Sequence, residues 1–144
     1  MKRTLSIVLI MLLFTITLSA CDGNRKLPPF DPSQVTEVTA TDSPTSSYLY
    51  VINDRKAIAQ LCEFYNSLTY RELKDGEEKP DNLLLGKLYS LHFNNAESEH
   101  TLASCYVSPD GYLLADDYKH PYKLTSSFNE EQLRALLEKY NAFK

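Results

Sequence analysis

The sequence predicts an α+β fold: an antiparallel sheet of about five to six strands with two amphipathic helices packed on one face, in the order ββαββββα. Three observations carry this. Two segments repeat apolar residues at helical spacing. Around them lie short β-branched and aromatic runs bounded by turn-forming residues. The helical segments stand apart from the strand runs instead of alternating with them, which favours strands that turn back on themselves over parallel βαβ units.

Residues 35–41 are rich in valine and threonine, and Tyr48-Leu49-Tyr50-Val51-Ile52 combines aromatic and β-branched side chains. Asp42-Ser43-Pro44-Thr45-Ser46-Ser47 separates them as a loop, so the pair reads as a hairpin. Asn53 or Asp54 then caps a helix in which Ile58, Leu61, Cys62, Tyr65 and Leu68 fall at i, i+3, i+4, i+7 and i+10, one apolar stripe. Residues 71–82 are charged, contain Gly76 and Pro80, and read as a surface loop.

A long strand is expected over 83–93, with Leu83, Leu85, Tyr89, Leu91 and Phe93 on one side. Residues 94–98 turn the chain back into 99–107, and Ser108-Pro109-Asp110-Gly111 turns it again into 112–115, which makes a meander. Asp116-Asp117 opens the last turn. Residues 118–124 form the final strand, with Pro121 placing it at a sheet edge or cutting it short. In the closing helix Ser127-Phe128-Asn129-Glu130 fits a capping box, and Leu133, Leu136, Leu137 and Tyr140 make the apolar face.

The N-terminus has a different character. Lys2 and Arg3 precede an uncharged run over 4–20, the layout of a secretory signal peptide. A membrane-spanning helix needs about 20 apolar residues, and this run is shorter and ends in small residues. The run closes on Leu18-Ser19-Ala20-Cys21, which resembles the lipobox of bacterial lipoproteins. The resemblance implies a thioether between the Cys21 sulfur and a diacylglyceryl group, acyl chains such as palmitate, and cleavage of the Ala20–Cys21 bond. The alternative is an ordinary signal peptide cut nearby. Asp22 resembles an inner-membrane retention signal in Gram-negative cells and carries no such message in Gram-positive ones.

Removing residues 1–20 from the 144 leaves 124, the size of one domain. Lys2 and Arg3 leave with the leader, so the formal charge of −4 becomes −6. That sign opposes nucleic-acid binding and attraction to anionic lipid, so membrane affinity falls to the acyl chains on Cys21. Residues 21–34 hold three prolines without apolar periodicity and read as a lipidated tether to a single domain over 35–144. Lipobox, tether, hairpin, helix, meander and Tyr122-Lys123-Leu124 before a capped helix together look like small lipoproteins of Gram-positive bacteria. That resemblance implies a fold and a location on the extracytoplasmic face of the cell membrane, and brings no catalytic residues.

With Cys21 lipidated, Cys62 and Cys105 remain. An exported pair invites a disulfide, since both point toward one helix-on-sheet core; two buried thiols are the other account. His92 and His100 stand opposite each other if the hairpin centres near Ala96, close enough to share a metal, but their neighbours Ser90, Leu102 and Ser104 supply no further ligand. Asp116 and Asp117, with Asp110 and His120 nearby, are the remaining acid cluster, in a turn where aspartate serves local hydrogen bonding. No phosphate loop, dinucleotide glycine pattern or Gly-x-Ser-x-Gly is present, so no cofactor or metal is expected. Tyrosine is abundant, ten against no tryptophan, and Tyr106 and Tyr112 are candidates for an exposed interaction surface beside the ordinary strand preference of this residue.

Three functions follow as expectations. The first is a noncatalytic, membrane-anchored envelope module that binds a protein, peptide or cell-wall component. The second is a small hydrolase using the Asp116, Asp117 and His120 region. The third is an inhibitor or immunity-type protein.

Overall fold

Strand geometry sends alternate side chains to opposite sides, and in the centre of this chain one side is wholly apolar. Tyr89, Leu91, Phe93, Cys105 and Val107 all have no solvent exposure. They belong to two long neighbouring strands in a computed structural model that describes residues 23–42, 49–78, 87–114 and 120–140. These are β5 (Tyr89–Asn95) and β6 (His100–Ser108). Around them lie β2 (Glu37–Thr41), β3 (Leu49–Ile52), β7 (Tyr112–Leu114) and β8 (Pro121–Leu124). The class is α+β and the sheet is open and antiparallel, with the expected hairpin and meander in place.

Among the described residues the sheet has eight strands, not five or six, and with β1 (Arg25–Lys26) and β4 (Thr69–Arg71) its order is β1-β4-β8-β7-β6-β5-β2-β3. The additions are β1 and β4, in stretches that read as tether and as the approach to a loop. Two- and three-residue strands are too short to display an alternation, so only their partners define them. Because β4 pairs with β8 through Tyr70 opposite Leu124 and Arg71 opposite Lys123, β8 lies inside the sheet. Pro121 therefore marks no edge. It opens β8 opposite Leu114, a position where its missing N–H interrupts no ladder on the β4 side.

Helix α1 (Arg55–Ser67) is capped by Asp54, whose Oδ1 accepts from Ala57 N at 2.9 Å. Its stripe of Ala57, Ile58, Leu61, Cys62 and Tyr65, followed by Leu68, is buried. Helix α2 (Glu130–Lys139) starts two residues later than the capping-box reading requires. Asn129 is the cap, its Oδ1 accepting from Gln132 N at 3.0 Å, while Ser127 is exposed. Leu133 and Leu137 are buried, and both helices join one core with the inner sides of β2, β3, β5, β6 and β7.

The N-terminal boundary also moves. Leu27 and Val35 are buried, Phe30 stacks edge-on against Tyr65 with ring centroids 5.1 Å apart, and Tyr65 Oη donates to Pro28 O at 2.9 Å. A short 3-10 turn, Pro32–Gln34, follows, capped by Asp31. Residues 25–34 are thus part of the fold and not a tether, and the domain extends back at least to Arg25 where Val35 was expected as its start. Proline-rich composition masked this, because docking depends on three apolar side chains without periodicity.

Candidate functional site

The end of α1 and the start of α2 are tied together. Thr125 N and Ser126 N both donate to Thr69 O, at 2.8 and 3.3 Å, and Thr69 N donates to Ser126 Oγ at 3.1 Å. Phe64 and Phe128 pack over this junction with centroids 5.9 Å apart. Between the helices lies an open groove of about 620 Å³. Both helices line the groove, and Lys56 and Lys139 stand at the ends of α1 and α2 that lie away from this junction.

The groove is built from the flank of each helix beside its buried stripe. Phe64, Leu133, Leu136 and Tyr140 supply the apolar floor. Gln60 and Gln132 line the walls, and Ser67, Ser127 and Asn129 the junction end. Among the described residues the charged groups lining the groove are two lysines, Lys56 and Lys139, and no described carboxylate lines it. Neither lysine has an acidic partner among the described residues, although Lys139 Nζ lies 5.0 Å from the Tyr140 ring centroid. Lys56 also sits in the first turn of α1, which carries no acidic residue. The helix dipole favours acids there, so this placement opposes the local preference. The volume falls within the range of ordinary ligand sites.

On the other flank of α2 the charges are consumed by each other. Glu130 Oε1 accepts from Lys87 Nζ, from Tyr89 Oη at 3.0 Å and from Arg134 at 2.7 Å. The Lys87 hydrogen bond, above all, holds the Glu130 carboxyl below its ordinary value, and the same contact raises Lys87. This network fastens α2 to β5 and offers no open charge.

The residues singled out in the sequence are scattered. Tyr106 does face away from the helices, as its strand parity predicts, but it is buried, 7 % exposed, in a second apolar cluster with Leu88 and Leu114. Tyr112, on the same side, is half-buried, with Lys123 Nζ 4.1 Å from its ring centroid and its hydroxyl donating to Glu78 O at 3.4 Å. The exposed patch built on Tyr106 is therefore not formed, because Leu88 and Leu114 enclose its ring and His92 stands edge-on to it. His92 lies opposite Ser104, and His100 opposite Asn95, so the two imidazoles are not a pair. The turn spans 96–99, where Glu99 takes a positive φ of 52°, and a bulge interrupts the ladder between Phe93 and Asn94. Burial lowers the pKa of His92, whose Nδ1 lies 2.9 Å from Ser104 Oγ. Among the described residues no three His, Cys, Asp or Glu side chains could hold a metal ion.

Cys62 and Cys105 both lie in the main core as thiols, and burial pushes Cys62 up to about 11. Cys21, Asp116 and Asp117 lie outside the described residues; His120 is exposed just before β8. No described helix is long and apolar enough to cross a membrane.

No family model, no curated protein and no solved structure matches this chain. The groove itself was missed in the sequence. Its one signal is Phe64, an aromatic residue beside the stripe of α1 but outside it.

Proposed function

We propose that this chain is a lipoprotein of the cell envelope, anchored on the extracytoplasmic face of the membrane through diacylglyceryl on Cys21, whose folded part is a noncatalytic binding module. Leu18-Ser19-Ala20-Cys21 after an uncharged run supports the anchor. The observation that carries the binding reading is the interhelical groove, apolar in its floor, with two lysines away from the junction and no carboxylate among its described lining residues. Because the fold extends back at least to Arg25, few residues separate it from the lipid. Four residues span at most about 14 Å, so the module is held against the membrane surface and not on a long stalk.

Two measurements test this. Cys21→Ala blocks incorporation of a fatty-acid probe; a variant that is still labelled refutes the anchor. A photo-cross-linking residue at Gln132, in the groove, captures a ligand in intact envelopes, whereas the same group at Glu97, in the 96–99 turn, does not. Equal capture at both sites, or none at Gln132, refutes the binding site.

A further inference from the structure

The charge distribution of the groove points to its occupant. From the placement of Lys56 and Lys139 we infer that it takes a short extended peptide carrying acidic residues at one end. This rests on the binding reading and adds the class of ligand.

A ten-residue helix such as α2 is about 15 Å long, and an extended chain advances about 3.3 Å per residue, so the groove accommodates four to five residues. An extended peptide brings backbone donors and acceptors that lose water on docking and must find partners. Gln60 and Gln132 meet that need, because each carboxamide donates and accepts. A helical ligand has its backbone already satisfied and would leave these amides without use. Phe64 and Leu136 receive an apolar side chain from the middle of the peptide.

Charge then sets direction. The lysines lie away from the junction, and the junction end carries the neutral Ser67, Ser127 and Asn129. Carboxylates on the ligand belong beside Lys56 and Lys139, where no acid among the described lining residues competes for them. Complementary charge of this kind selects partner and orientation more than it raises affinity.

The test uses the full lipidated chain in nonionic detergent and three pools of capped pentapeptides. Their first two positions are both acidic, both glutamine or both lysine, and the other three are randomised. Retained peptides are quantified by mass spectrometry at low and at 0.5 M salt, with dodecyl phosphate as a lipid-like competitor. The acidic-led pool is enriched about tenfold over the glutamine-led pool, the preference shrinks in high salt, and Lys56→Gln/Lys139→Gln abolishes it. Both lysines are exposed, so the double variant keeps the melting temperature of the parent. Equal retention of acidic and neutral pools, retention of none, or displacement of every peptide by dodecyl phosphate with no acidic preference overturns the inference. Capture at Gln132 in envelopes without an acidic preference leaves the binding site standing and removes only the acidic peptide.

Discussion

The Phe30 ring stands edge-on to Tyr65 and also lies 5.1 Å from Phe93, so a residue ahead of the first long strand is wedged between α1 and β5. Phe30→Ala leaves a gap where helix, sheet and N-terminal segment meet. It is half-buried, so the loss is below that of a fully enclosed phenylalanine, about 2 kcal/mol in urea unfolding. A change under about 0.5 kcal/mol, the level of ordinary surface substitutions, would show that residues 25–34 are a tether after all.

Tyr106→Ala is expected to act on stability and not on binding. Its ring is enclosed with Leu88 and Leu114 and meets His92 edge-on at 5.5 Å. Removing it destabilises by roughly 3 kcal/mol. Groove occupancy, read by cross-linking at Gln132 at a temperature where the variant is folded, stays unchanged. Lost cross-linking with full stability would return Tyr106 to an interaction surface.

The start of α2 distinguishes two caps. Asn129→Ala removes the acceptor for Gln132 N and costs about 1 kcal/mol, while Ser127→Ala falls within about 0.5 kcal/mol of the parent. Thermal melts of the two variants decide this, and the reverse ranking would restore the capping box at Ser127.

Acid weakens the Arg71–Glu77 contact in a defined window. Two hydrogen bonds from Arg71, at 2.7 and 2.6 Å, and one from Lys74 N draw the Glu77 carboxyl from 4.5 down to about 2. The unfolded chain thus holds the proton more tightly, so this contribution is complete above the unfolded value and is lost as pH falls through about 2. The difference in urea midpoint between parent and Glu77→Gln is largest near neutrality and closes toward about pH 2. A difference that stays constant over that range would be incompatible with a depressed Glu77.

Counting thiols tests the cysteines together. If Cys21 carries the proposed thioether, the mature protein in denaturant without reductant yields two reactive thiols, Cys62 and Cys105. In the folded protein near pH 8 Cys62 stays unreactive, since it is buried and its thiolate is suppressed by a value of about 11. No thiol after denaturation would establish the disulfide, and a third would remove the lipid.

By itself the sequence determined the elements that encode themselves locally. Ile58 to Leu68 and Leu133 to Tyr140 repeat at helical spacing, and Tyr89, Leu91 and Phe93 alternate at strand spacing. A period of that kind is visible without knowing what it packs against, and it made the α+β class, the hairpin and the meander legible. Tertiary structure decided the rest. Strands β1 and β4 exist only through their pairing with each other and with β8, and Pro121 reads as an edge until β4 is found beside it. Parity correctly put Tyr106 on the outer side of the sheet, but its burial depends on Leu88 and Leu114, which only the folding of the neighbouring strands brings against it. The groove depends on two helix flanks, one around Lys56 and one around Lys139, brought together by hydrogen bonds between Thr69 and residues 125–126. Those positions are more than 80 residues apart, and no local pattern records that they are neighbours.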